Sequence, residues 1–153
     1  MNAENPLSQE EFDSIYAKVP RLTVEIIVKN DSGAIYLTER AIGPCKGKWH
    51  LPGGTVRFGE PMVEAVARIA KRELSIEVTA SQNVGYIEYP SHYLHGLDSP
   101  VGIVFEVTAF DGELAVNAEA SHGGWFTAVP ECMHEDQDVF LIERRYLSTS
   151  GKG

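Results

Sequence analysis

The feature that most constrains this chain is one stretch, "LPGGTVRFGEPMVEAVARIAKRELSIEV", from Leu51 to Val78. It opens on paired glycines, Gly53 and Gly54, where a backbone can turn tightly and approach a ligand closely. From Pro61 the pattern changes. Proline suits a first helical turn, where its missing N–H has no partner to lose. Met62, Val66, Ile69, Ala70 and Leu74 recur at helical spacing, so the helix has one apolar face and ends near Leu74–Ser75. That face must pack on something. The runs on either side, "RLTVEIIVKN" and "VGIVFEVTAF", are rich in β-branched residues and read as strands. A helix between strands predicts an α/β fold.

The rest of the chain extends this pattern. Ser8 and Glu11 form a capping box that opens a helix over roughly residues 9–18, which Pro20 ends. "AIYLTER" is the second arm of a hairpin across the turn "NDSG". "AIGPCKGK" is a loop, and "WHLP" and "TVRF" are short strands flanking the glycines. "IEVTA" and "NVGYIEYP" read as further strands, and Asp111-Gly112 as a turn before "ELAV". "GGWFTA" leads into a last helix over "EDQDVFLIERRYL". The order helix, strands, helix, strands, helix predicts an α/β sandwich with a mixed sheet and one central loop–helix. The length of 153 residues suits one domain over 1–153, with a core of about 20–148 behind a short N-terminal helix.

Composition narrows the partners. A hydrophobic share of 43% excludes a disordered chain, and no apolar run approaches a bilayer span. The start, "MNAENPLSQEEF", has no apolar core of a signal peptide, so a cytoplasmic location is expected. Cys45 and Cys132 have no metal-type spacing and read as free thiols. A net charge of −9 argues against a nucleic acid polymer as partner. It also means that a small phosphate ester needs a divalent cation to offset like-charge repulsion.

The central stretch holds the candidates for that chemistry. A backbone carbonyl at the glycines can coordinate magnesium, which prefers oxygen ligands and keeps several waters. Glu60 just before the helix and Arg68 within it can tie loop to helix, although by spacing alone Glu60 reads as an ordinary helix-start carboxylate. Residues 69, 72 and 73 share one helical face. Three carboxylates there would make a strong cation site. This chain has Ile69, Arg72 and Glu73 instead, so Glu73 alone remains as a candidate ligand.

At this point the sequence resembles the Nudix hydrolase family. That family's box reads Gly, five residues, Glu, seven residues, Arg-Glu, an aliphatic, any residue, Glu-Glu, any residue, Gly, an aliphatic. Laid on this chain from Gly54, it finds Glu60, Arg68, Glu73 and Ile76 in place. It finds Ile69 and Arg72 where two acids would stand, and Ser75 for the glycine. "GKWHLPGG" also resembles the family's approach to the box. The resemblance implies the Nudix-type α/β/α sandwich. Losing the first two acids and keeping the last is similar to the GDP-mannose mannosyl hydrolase branch. That branch implies magnesium, or manganese in its place, held by Gly54, Glu73 and Glu119. It implies a substrate-binding role for Arg40, and puts Glu25 where the branch has Asp. The branch's catalytic His falls on Ala120, so Glu119 or His122 is left as the base.

The resemblance therefore implies a magnesium-dependent hydrolase of a nucleoside diphosphate derivative, foremost a nucleotide sugar such as GDP-mannose. Arg40 would bind the diphosphate and Glu25 would orient substrate or water. One alternative is a pyrophosphohydrolase that cleaves a P–O bond. Another is a domain that binds nucleotide without catalysis. Bland readings stand beside the other candidates. His92 and His95 lie in a long loop that can cover a substrate or simply face solvent. His50 reads as structural. Lys46, Lys48 and Arg57 can meet phosphate or form a solvated rim. Of Tyr86 and Tyr89, three apart in a strand, only one can line a given site, and core packing is as good a reading for both and for Tyr93. The apolar last helix permits a homodimer.

Overall fold

The structure, a computed structural model, describes residues 6–41, 46–116 and 120–149. Helix α1 spans Gln9–Tyr16, and its capping box is formed: Ser8 Oγ accepts from Glu11 N–H at 3.1 Å, and Glu11 Oε1 accepts from Ser8 N–H at 3.0 Å. Strand β1 (Arg21–Val28) then enters the middle of a mixed sheet. It runs antiparallel to β4 (Gly53–Thr55) and parallel to β6 (Pro100–Asp111), which pairs in turn with β5 (Glu77–Glu88). The order is β4-β1-β6-β5. A second, antiparallel sheet has the order β3-β2-β7, from Trp49–His50, Ile35–Arg40 and Ala120–Phe126. The remaining helices are α2 (Met62–Leu74), α3 (Pro90–Tyr93) and α4 (Glu135–Glu143).

The sequence of β1 explains its place. Val24 to Val28 are all buried, because the strand is covered on both faces, and the run is apolar except for Glu25. Val24, Ile26 and Val28 meet Ala65, Val66, Ile69, Ala70 and Leu74 of α2. Ile27 faces the other way, toward Ile35, Leu37, Leu51 and Leu141. Helix, sheet and second layer therefore stack as the α/β sandwich that the residue pattern predicts.

Several details differ from the sequence expectation. "IEVTA" and "NVGYIEYP" are one strand, β5, whose register slips at Val78/Ala80, Ala80/Ser81 and Asn83/Gly85. Bulges of this kind break the alternation from which strand ends are read. The strand expected over "TVRF" stops at Thr55, and Phe58 projects into solvent. Helix α4 ends at Glu143, and Arg145 adopts a left-handed φ of 63°. Ser75, where the family box has glycine, caps α2 at φ 60°. No helix among the described residues is long and apolar enough to cross a membrane.

Candidate functional site

Gly53 and Gly54 do not form a turn. They lie within β4, opposite Glu25 and Val24 of β1. Glycine is needed for close approach. A Cβ on Gly53 would stand 2.3 Å from Glu25 Oε2. One on Gly54 would stand 2.9 Å from Ile69 Cδ1 and 3.2 Å from Arg72 Nη2. Gly102 of β6 flanks Glu25 from the other side, at 2.7 Å from Oε1 by the same measure. Two glycines on neighbouring strands thus leave room for one carboxyl in the middle of a sheet.

That carboxyl is held by a directed chain of hydrogen bonds. Glu25 Oε1 accepts from Thr23 Oγ1 and from the Tyr89 hydroxyl, each at 3.0 Å. Tyr89 accepts in turn from Gln137 Nε2 at 2.8 Å, and Gln137 Oε1 accepts from Leu51 N–H at 2.8 Å. Because the amide of Gln137 donates to Tyr89, the phenol is free to donate to Glu25. Burial lifts the Glu25 carboxyl to about 7, against the lowering effect of its two hydrogen bonds and of Arg21, and Glu73 adds to the rise.

Glu25 lines a cleft of about 1210 Å³ together with Gly54, Arg40, Arg57, Arg72 and Glu73. Glu73 Oε1 accepts from Arg72 Nη2 at 3.1 Å. Ile69, one turn earlier, is wholly buried. Arg68 is held by three hydrogen bonds: it donates to both oxygens of Glu60, at 2.8 and 3.0 Å, and to the Thr55 carbonyl at 2.9 Å. This is the loop-to-helix tie that the sequence suggested, and it holds the Glu60 carboxyl below its usual range. Arg40 and Arg57 differ, since each has a buried guanidinium nitrogen without a partner among the described residues.

The structure thus brings Glu25, Arg40, Gly54 and Glu73 to one cleft. His122 does not line it. Its ring is exposed on β7 and sits 3.6 Å from Glu39. Glu119 lies outside the described residues. The backbone of Ala120 pairs with Arg40, so the start of β7 runs beside that arginine. His50 also lines the cleft, with Nδ1 2.8 Å from the Leu51 carbonyl. Tyr86 of β5 is exposed, and Tyr89, just past the end of that strand, is buried.

One wall of the cleft was foreseen only through His92, read as a loop residue that can cover a substrate or face solvent. His134 caps α4, its Nδ1 accepting from Asp136 N–H at 3.2 Å. Its Nε2 lies 3.4 Å from His92 Nε2, and His92 Nδ1 meets Asp98 Oδ1 at 3.0 Å. The Asp136 N–H on His134 Nδ1 leaves Nε2 as the proton-bearing nitrogen of a neutral His134 ring, facing His92. Burial holds the His134 imidazole down at about 4, and the His92 hydrogen bond, joined by Arg21, keeps Asp98 at about 2. Arg21 links this wall to the glycine strand, donating to Asp98 at 2.7 Å and to Thr55 Oγ1 at 2.7 Å. The only sequence signal for this network was its polar residue types, because its members lie far apart in the chain.

Fold and cleft define the class: an α/β/α domain whose glycine strand, following helix and arginines line one cleft. The NUDIX domain model matches residues 19–148, and the chain belongs to that family of hydrolases. It is 31% identical over 139 residues to the low-salt glycan biosynthesis protein Agl8 of Haloferax volcanii, which covers 88% of each chain. It is 32% identical over 107 residues to an ADP-ribose pyrophosphatase of Methanocaldococcus jannaschii, covering 70% of this chain and 62% of that protein. Its fold matches the MutT NUDIX hydrolase of Burkholderia pseudomallei with a TM-score of 0.74 at 28% identity, over 82% of this chain and 98% of that one.

Proposed function

We propose that this Nudix hydrolase cleaves a nucleotide sugar, with magnesium, by attack of water at the anomeric carbon and departure of the nucleoside diphosphate. The observation that carries the reading is the face of α2 beside Gly54, where Ile69 is buried core, Arg72 is a cation and Glu73 is the remaining acid. Attack at phosphorus exploits several clustered cations, whereas one can assist an intact diphosphate to leave. The relative named for glycan biosynthesis supports a sugar-bearing substrate.

The donor set suits one ion. No group of three His, Cys, Asp or Glu side chains among the described residues could hold a metal by itself. Magnesium commonly takes one or two carboxylates and completes its shell with substrate phosphate and water. Gly54 through its carbonyl, Glu73 and Glu119 would hold it, and it would neutralise charge on the departing diphosphate. Arg40, which lines the cleft, binds the diphosphate. Glu25 orients substrate or water, and Glu119 accepts the proton of water.

Hydrolysis in oxygen-18 water tests the reading. Label in the released sugar supports it. Label in a phosphate product means that phosphorus was attacked, the second reading, which the ADP-ribose pyrophosphatase relative favours. Glu73→Gln tests the metal assignment, with magnesium-dependent turnover expected to fall about a hundredfold. Full activity in that variant would remove Glu73 as a ligand.

A further inference from the structure

Arg72 sits where the side chain of a helix residue would not ordinarily go. Neighbours i and i+1 on a helix do not face each other, yet Arg72 Nη2 reaches Glu73 Oε1 at 3.1 Å. It does so by folding over Gly54, where a Cβ would stand 3.2 Å from that same nitrogen. The bare glycine therefore positions a guanidinium in the cleft, directly beside the proposed metal carboxylate.

The other arginines of the cleft show what is distinctive here. Arg68 gives three hydrogen bonds to Glu60 and Thr55. Arg21 is taken up by Asp98 and Thr55. Among the described residues Arg72 gives one hydrogen bond, to Glu73, and its side chain stays partly exposed in the cleft. A guanidinium has five N–H donors in a fork that matches phosphate oxygens. Arg40 and Arg57 face the same cleft, each with a buried donor left unpaired among the described residues. Unpaired buried donors are costly unless a ligand satisfies them. A chain of net charge −9 has thus gathered Arg40, Arg57 and Arg72 around one cleft.

Resting on the nucleotide-sugar reading for its substrate class, we propose that Arg72 is a catalytic residue whose guanidinium binds the diphosphate beside Glu73 and supplies charge that a further metal ion would otherwise bring. As the glycosidic C–O bond breaks, its electron pair passes to the diphosphate oxygen, and water provides the oxygen for the sugar. Arg72 stabilises the added negative charge while keeping its proton. An arginine stays charged throughout the working pH range, so this part of the site remains when metal is removed.

Calorimetry with GDP and ADP in excess EDTA reads the contact without turnover. Wild type is expected to bind a diphosphate, and Arg72→Gln to bind it at least about tenfold more weakly. Arg72→Lys keeps the charge without the fork and should fall between. Lys71→Gln removes the adjacent charge, which pairs with Glu77 outside the cleft, and should bind like wild type. Manganese titration in the presence of diphosphate should find one ion for wild type and an additional one for Arg72→Glu. The proposal is overturned if wild type binds neither diphosphate without metal, if Arg72→Gln binds as wild type does while unfolding at the same temperature, or if Lys71→Gln loses as much. Failure to hydrolyse any nucleotide sugar, with these binding differences intact, would sink the substrate reading and leave the diphosphate contact standing.

Discussion

Glu25 shows how one residue can carry opposed demands. Its folded carboxyl is raised to about 7 from an ordinary 4.5, so the folded state holds its proton more tightly than the unfolded state does. The associated stability is full below about pH 4.5 and is lost as pH rises through 7. Glu25→Gln keeps acceptors for Thr23 and Tyr89 but cannot ionise. It should match wild type near pH 4.5 and exceed it by about 1–3 kcal/mol at pH 8, read by denaturant unfolding at both pH values. Turnover should fall in the same variant, since the carboxylate lines the cleft. A stability profile parallel to wild type would show that Glu25 is not the strained group. The position of Glu25 was legible in the sequence through the resemblance. Its environment was not, because Gly102, Tyr89 and Gln137 are distant in sequence and reach it only through strand register and the docking of α4.

Among the elements, those with local signals were legible. α1 follows from its capping box and α2 from its apolar period and Pro61, and both stand where expected to within two residues. β5 was misread as two strands because bulges erase its alternation, and α3 is too short to have a period. The tie between α3 and α4 was invisible for the same reason. A histidine cap has no distinctive sequence pattern, and its partner His92 lies 42 residues away. That tie has a pH dependence of its own. The His134 folded value of about 4 lies below the ordinary 6.5. Its stabilisation is therefore present above pH 6.5 and is lost as pH falls toward 4, opposite in sign to that of Glu25. His134→Asn retains a capping oxygen for α4 but does not titrate. Relative to wild type, it should gain about 1–3 kcal/mol between pH 7 and 4. An unchanged difference across that range would show that the imidazole does not hold α3 to α4.

On the scale of the whole molecule, the cleft is a meeting place of layers. β1 and β4 form its floor, α2 brings Arg72 and Glu73, the α3 loop and α4 bring the histidine wall, and α1 closes the far side. α1 contributes nothing to the core, for none of its residues is buried. What it presents is an aromatic pair, Phe12 and Tyr16, with ring centroids 4.7 Å apart and Arg21 5.6 Å over Phe12. A nucleotide needs apolar surface for its base as well as cations for its phosphates, and aromatic rings supply such surface at about 1–3 kcal/mol per stacked base. Deleting residues 1–17 should therefore separate folding from binding. The loss of stability should stay near 1 kcal/mol, the scale of an exposed cation–π contact. KM for the substrate should rise by about tenfold or more, with affinity for inorganic pyrophosphate unchanged because the arginines remain. Unfolding curves, substrate kinetics and pyrophosphate titration of the shortened chain give the three readings. Equal weakening for nucleotide and pyrophosphate would mean that α1 props up the arginines, and the aromatic wall would lose its assigned role.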